Sequence, residues 1–137
     1  MAEYLKPVPQ PEQESLLFWM GAKKRELLIQ RCRVCGQHQY YPRAICVNCL
    51  ADDLEWVRVS GRGTIYSYTV TYQNASPGFR EEVPYVLALV DLDVGVRMTT
   101  NIIGAQPEDL AIGLPVQVTF EDITPDIALP KFRLVRT

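Results

Sequence analysis

RCRVCGQHQYYPRAICVNCL, residues 31–50, holds all four cysteines of the chain. Cys32 and Cys35 form one C-x-x-C pair and Cys46 and Cys49 a second, with ten residues between the pairs. Two residues between cysteines let both sulfurs point inward from one tight turn. Ten intervening residues suffice for a short hairpin that sets the second turn opposite the first. A tetrahedral metal ion needs four soft ligands arranged in this way. Gly36 directly follows Cys35, where such a turn often needs a positive φ. Other uses of the thiols fit less well. Two disulfides need an oxidising compartment, a thioredoxin-like pair needs only one C-x-x-C ahead of a helix, and four unrelated buried cysteines would not pair so regularly. Zinc is the expected ion and iron the alternative, because tetrahedral sulfur sites accept both. Four protein ligands leave no position for water or substrate, so the expected role is structural.

The residues around the thiols follow from that expectation. Zinc with four thiolates carries a net charge of about −2, and Arg31, Arg33 and Arg43 flank the ligands and are expected to offset part of it. His38 is the one histidine and is expected to face solvent on the hairpin. No other histidine can act as a general base. Ser15, Ser60, Ser67 and Ser76 therefore lack the partner a serine hydrolase needs.

The whole chain has 137 residues, 47% of them apolar and 22% charged, as in a soluble globular protein of one ordinary domain or two very small ones. A net charge of −2 gives no general pull toward nucleic acid or anionic membrane. The charge is uneven, however: residues 22–59 carry seven Lys/Arg and four Asp/Glu, whereas residues 60–137 carry six and nine. No apolar run approaches the ~20 residues that span a bilayer. The start, MAEYLKPVPQPEQES, is polar and proline-rich with no basic segment leading into an apolar one, so no secretory signal is expected. A cytoplasmic protein with reduced thiols is the resulting expectation.

Outward from the cysteines, ELLIQRC reads as a strand entering the first turn, HQYYPR as the returning strand and LEWVRVSG as the strand leaving the second turn. Together they make a zinc ribbon with too little apolar core to fold without its metal. On the N-terminal side, PEQESLLFWMGAKKREL reads as a helix, with Pro11 in its first turn and Glu12 and Glu14 complementing the dipole. Leu16–Met20 are five consecutive apolar residues, more than one helix face can bury. On the C-terminal side the texture becomes β. TIYSYTVTY alternates, which sets Tyr66, Tyr68, Val70 and Tyr72 on one buried face. QNASPGFREEVP is a polar loop. YVLALVDL is a continuous apolar run that fits a central strand. Asp93–Gly95 turns it into VRMTTNII, whose Val96, Met98, Thr100 and Ile102 share a face. QPEDLAIG is a short helical turn closed by Gly113; PVQVTFED, with Val116, Val118 and Phe120 together, and FRLVRT complete five strands. This order suits a small closed barrel of the OB type. The expected class is mainly β, organised as a helical arm (1–22), a zinc ribbon (23–59) and a five-stranded barrel (60–137).

FW at 18–19, CRVCG at 32–36, YPRAICVNC at 41–49, GRGTIYSYTV at 61–70, PYVLALVDLDVGVRMTTNIIG at 84–104, IGLPVQVTFED at 112–122 and LPKFRLV at 129–135 occur in one order. In this the chain resembles the acyl-CoA-associated OB-fold family with an N-terminal rubredoxin-like zinc ribbon, formerly a domain of unknown function. The resemblance runs from about Phe18 to Arg136. It implies a non-catalytic accessory or scaffold subunit that binds an acyl-CoA-processing enzyme, thiolase-like first, or a synthase, hydratase or aldolase, and that helps hold the acyl-CoA. By the same resemblance Cys32, Cys35, Cys46 and Cys49 are the metal ligands, and Phe18 and Trp19 contact the partner. Phe79 in the Pro77–Gly78 loop, Arg97, Lys131 and Arg133 lie on the acyl-CoA side. Many relatives have proline where this chain has Val47, which loosens the second turn without touching a ligand.

Two other functions compete. Zinc ribbons and OB barrels both bind single-stranded nucleic acid, with tyrosines as stacking platforms. Here the tyrosines are expected on a core face and the barrel segment is acidic, against the sign a phosphate channel needs. Electron transfer through a rubredoxin-like iron centre is the third. Lys23, Lys24, Arg25, Arg31 and Arg33 could meet CoA phosphates, although each can equally serve as a solvated surface charge.

Overall fold

The computed structural model describes residues 6, 8–79 and 82–135. The expected N-terminal coil, the loop before Pro84 and the final strand thus extend in part onto positions outside the described residues. Helix α1 (Leu16–Lys23) leads into β1 (Leu27–Cys32), β2 (His38–Gln39) and β3 (Leu54–Val59). Then come β4 (Arg62–Thr71), β5 (Tyr85–Leu92), β6 (Arg97–Ile102), a 3-10 turn at Pro107–Asp109, β7 (Pro115–Asp122) and β8 (Ala128–Leu134). The first three strands form an antiparallel sheet in the order β2-β1-β3, and the other five close into a barrel in the order β4-β5-β6-β8-β7. The protein is thus mainly β, with a ribbon and an OB-like barrel, as the strand sequence implies. Only β6 and β8 run parallel, where Ile102 faces Phe132. Closure leaves the barrel without a free edge.

Alternation along the strands fills the barrel. Val86, Ala88, Val90 and Leu92 point inward from β5, and Val96, Met98, Thr100 and Ile102 from the β6 side, where they meet Ile65, Val116 and Phe132. The Asp93–Gly95 turn forms as expected: Gly95 N–H donates to Leu92 C=O at 3.0 Å and Leu92 N–H to Val96 C=O at 2.8 Å. The continuous apolar run of β5 does not mark a strand buried on both faces, because Leu87 lies outside and is 43% exposed. Gly63 is required by close approach. A Cβ there would sit 2.5 Å from the Asp91 carbonyl oxygen of the neighbouring strand.

Strand β4 corrects the expected tyrosine face. Ile65 pairs with Val90 but Ser67 pairs with Leu89, so Tyr66 is an extra residue in a β-bulge. The extra residue switches the parity of everything before it. Ile65 is buried, Tyr68 and Val70 pack partly against the core, and Tyr66 stands outside. Tyr72, beyond the strand, is exposed as well.

The helix is shorter than its sequence suggests. Glu12–Ser15 forms a turn instead, with Ser15 N–H on Glu12 C=O at 3.0 Å and Glu12 N–H on Ser15 Oγ at 3.1 Å, and α1 begins only at Leu16. Pro11, Glu12 and Glu14 thus precede the helix rather than occupy its first turn. Phe18, Gly21 and Ala22, at i, i+3 and i+4, are its buried stripe. Phe18, Leu27 and Ile29 belong to the same apolar cluster as the barrel residues, so the ribbon borrows core from the barrel. The junction is closed by Asp122 at the end of β7. Arg25 donates to both its oxygens at 2.8 Å and Lys23 to one at 3.0 Å.

The Arg25 guanidinium, and then Lys23, hold the Asp122 carboxyl far below the usual carboxylate range. A carboxylate depressed on folding adds stability that is complete above its unfolded pKa and is lost as pH falls through the folded one. Urea titration of Asp122→Asn is therefore expected to show a lower midpoint than wild type at pH 7. The difference should shrink below about pH 4 and with added salt.

Candidate metal centre and the surfaces around it

Each cysteine pair sits in the same backbone turn. Cys32 N–H donates to Gln37 C=O at 2.9 Å and Gly36 N–H to Cys32 C=O at 2.9 Å; in the second turn Cys46 N–H donates to Ala51 C=O at 2.8 Å and Leu50 N–H to Cys46 C=O at 3.0 Å. Backbone N–H groups then point at the first sulfur of each pair. Val34 and Cys35 donate to Cys32 Sγ at 3.4 and 3.5 Å, and Asn48 and Cys49 to Cys46 Sγ at 3.3 and 3.4 Å. The closing position of each turn is left-handed, at φ +80° for Gly36 and +67° for Leu50. Glycine adopts that conformation freely, whereas a side chain there costs about 1–2 kcal/mol.

The four sulfurs lie within 4.8 Å of one another, with Cys32–Cys49 and Cys35–Cys46 at 3.6 Å. Thiolates held tetrahedrally at ~2.3 Å from one ion stand about 3.8 Å apart, so the geometry fits such an ion. Disulfides are excluded, since that bond is about 2.05 Å long. Without a cation, four thiols this close cannot ionise together. The Gln37 backbone N–H and the Asn48 side chain hold Cys35 down to about 6. At Cys49 the Ala51 N–H acts in the same direction, but desolvation together with hydrogen bonding to the Cys32, Cys46 and Cys35 thiols pushes it up to about 11. A bound cation removes that conflict by stabilising every thiolate. His38 is half-buried in β2 opposite Arg31, less open than expected, and is not among the grouped ligands.

The second turn is carried by a loop, and two buried glutamines hold that loop. Gln30 Nε2 donates to Arg43 C=O and accepts the Arg43 N–H at its Oε1, both at 2.8 Å. Gln39 Nε2 donates to Gln30 Oε1 at 2.8 Å and to Ile45 C=O at 3.2 Å, and Gln39 Oε1 accepts the Val47 N–H at 2.9 Å. Sequence reasoning missed both; the available signal was an amide side chain at an inward strand position. Arg31 and Arg33, expected beside the metal, both have carboxylate partners. Arg31 pairs with Glu55 at 2.9 Å, and Arg33 with Asp53 at 3.0 Å and Glu55 at 3.3 Å. Arg31 and then Arg33 keep the Glu55 carboxyl below its ordinary pKa.

The expected contact residues separate. Phe18 is only 4% exposed, so its ring belongs to this chain's core, edge-on to Trp19 at 5.1 Å and tilted against Tyr40 at 5.7 Å. Burial pushes the Tyr40 phenol up to about 12, and Tyr41 stacks on it at 4.6 Å. The outward apolar residues of α1 are Leu16, Leu17 and Met20. With half-buried Trp19, Val8, Pro9 and Ile127, Leu16 and Met20 line a groove of about 840 Å³. Phe79 and Lys131 share another cleft, of about 490 Å³, with Tyr85, Ile103 and Leu129. There Lys131 pairs with Glu121 at 3.0 Å, and Lys6 lies 5.4 Å over the Phe79 ring. Arg133 lies against Gly104, another residue lining that cleft. Arg97 lies four residues, about 14 Å, from the nearest cleft residue of β6, Asn101. It pairs with Asp91 at 2.7 Å and covers the outward Tyr66 ring at 3.4 Å, leaving that ring no open face toward Arg97 for a base. Lys23 and Arg25 are bound to Asp122.

Gln39→Leu removes the partners of the Val47 N–H and the Ile45 C=O while keeping an apolar body in place. Each orphaned group costs about 1–3 kcal/mol. The variant is expected to lower the thermal midpoint and to speed metal release to a chromogenic chelator, with wild-type barrel circular dichroism.

Residues 19–55 match the family described as the rubredoxin-like zinc ribbon domain of ChsH2, and residues 56–121 its C-terminal OB-fold domain. A probable enoyl-CoA hydratase alpha subunit of Thermomonospora curvata is 37% identical over 129 residues, 94% of this chain and 40% of that protein. The chain therefore spans about two fifths of that relative (40%). A DUF35 domain-containing scaffold protein of Methanocaldococcus jannaschii is 36% identical over 110 residues, 79% of this chain and 77% of that one. A benzoylsuccinyl-CoA thiolase subunit of Geobacter metallireducens is 34% identical over 74 residues, 54% of this chain and 48% of that one. The relatives thus carry both scaffold and enzyme-subunit names. The solved Ltp2-ChsH2(DUF35) aldolase superposes with a TM-score of 0.84 at 36% identity, covering 93% of this chain and 98% of that one. On its ordered cysteines, its barrel and these matches, the chain belongs to the DUF35 family, with a ChsH2-type zinc ribbon and OB-fold domain.

Proposed function

We propose that this chain is a non-catalytic accessory subunit that docks on an acyl-CoA-processing enzyme of the thiolase, hydratase or aldolase kind and helps hold the acyl-CoA. The observation that carries the reading is the apolar surface of α1. Leu16, Leu17 and Met20 are each more than 40% exposed, beside a groove walled by Trp19 and Ile127. A contiguous apolar surface of this kind marks an interface. Relatives named as a scaffold protein, a thiolase subunit and part of an Ltp2-ChsH2 aldolase give that interface a class of partner. The cleft that joins Phe79 to Lys131 is the surface best suited to the acyl-CoA, since it pairs an aromatic wall with ammonium groups.

The four thiolates hold one zinc ion in this reading. Zinc supplies a closed cross-link between the two turns and no reactive position. The chain's own part is to present four sulfurs at tetrahedral spacing and to steady two of them with backbone N–H groups. Free thiols fit a reducing compartment such as the cytoplasm, and among the described residues no helix is long and apolar enough to cross a membrane.

Elemental analysis is expected to find one zinc per chain in a colourless protein; a red, reducible protein would show iron instead. Co-expression with the acyl-CoA enzyme encoded beside it should give a complex that copurifies. Leu16→Asp with Met20→Asp should weaken that complex at least about tenfold while the metal is retained. A pair that never copurifies, with enzyme activity indifferent to this chain, would refute the accessory role.

A further inference from the structure

Around the metal turns lies a second apolar surface that the folding of this chain does not require. Val34 and Val47, one from each turn, are 66% and 65% exposed, and Leu50 is 71% exposed. Ile45, next to Cys46, is 43% exposed, and the two outer ligands Cys35 and Cys49 are exposed as well. This surface lies at the Cys32 end of β1, the end away from the Leu27–Val59 pair that leads into the barrel. Leu50 is the informative member. It occupies the left-handed position that Gly36 fills in the matching turn, and it holds there a side chain that is mostly open to solvent. Glycine would close the turn without that strain, so an exposed apolar side chain kept at this position points to function.

The charge of the tip selects the occupant. Four thiolates around a divalent ion leave a net negative charge, and Arg31 and Arg33, which flank the first pair of ligands, are committed to Glu55 and Asp53. A second copy of this chain would bring a second negative centre against the first, which Coulomb repulsion opposes. A protein surface that is apolar at its centre and carries Lys or Arg facing the outer sulfurs fits both features.

We propose that the tip formed by Val34, Ile45, Val47 and Leu50 is a docking surface for a basic, apolar face of a partner protein, separate from the α1 groove. The identity of that partner rests on the accessory-subunit reading, so the test uses the acyl-CoA enzyme that copurifies with the chain. Binding of zinc-loaded full-length variants is measured by calorimetry, with zinc content and thermal midpoint determined in parallel. Leu50→Gly relieves the left-handed strain, so it is expected to raise the midpoint while weakening binding about tenfold. Val47→Lys is expected to weaken binding more than Val47→Glu. Wild-type affinity in all three variants would overturn the tip proposal and leave the accessory reading standing. Failure of the wild-type chain to bind would remove both. A wild-type dimer in sedimentation that Val47→Lys dissociates would make a second copy the occupant and overturn the basic partner.

Discussion

Four sulfurs sharing one cation are the constraint on which the ribbon depends. Its strands are six, two and six residues long, and the loop between Gln39 and Leu54 has no strand pairing of its own. Such a piece cannot bury enough apolar surface to offset its ordering entropy. The structure adds a second anchor to the metal: Leu27 and Ile29 enter the apolar cluster of the barrel, and Asp122 binds the end of α1. The ribbon is therefore fixed at one end by packing and at the other by coordination, and it is weakest in between.

What was legible in the sequence was local. The cysteine spacing, the left-handed Gly36, the Asp93–Gly95 turn and the inward set Val96, Met98, Thr100 and Ile102 each depend on a few neighbouring residues, and all appear in the structure. What was not legible depended on distant partners. Tyr66 left its expected face because of a bulge defined only by pairing with β5. Phe18 turned inward because Tyr40 and the barrel cluster receive it. Arg31 has a carboxylate partner, Glu55, 24 residues along the chain. The two glutamines looked like ordinary strand polar residues until the loop they hold was in place. For the proposed site, the ligands could be read from sequence, whereas the grouping of Phe79 with Lys131 in one cleft, and the separate place of Arg97 beside Asp91 and Tyr66, required the barrel.

Among the described residues, many cations are committed to carboxylates. Lys23 and Arg25 share Asp122, Arg31 and Arg33 share Glu55, Arg97 holds Asp91 and Lys131 holds Glu121. These pairs are mostly exposed, and each adds little to stability. Their effect is on recognition. An anionic group that docks at one of these cations must displace its carboxylate, so selectivity there comes from shape and apolar contact.

The two cysteine turns share hydrogen bonds but not supports. The first is flanked by paired strands, since β1 ends at Cys32 and β2 begins at His38. The second rides on the loop that Gln30 and Gln39 tie down, and it closes on the strained Leu50. Metal loss would therefore be directional. Cys46 and Cys49 would be surrendered first while Cys32 and Cys35 stayed in place, ready to recapture an ion and guide the loop home.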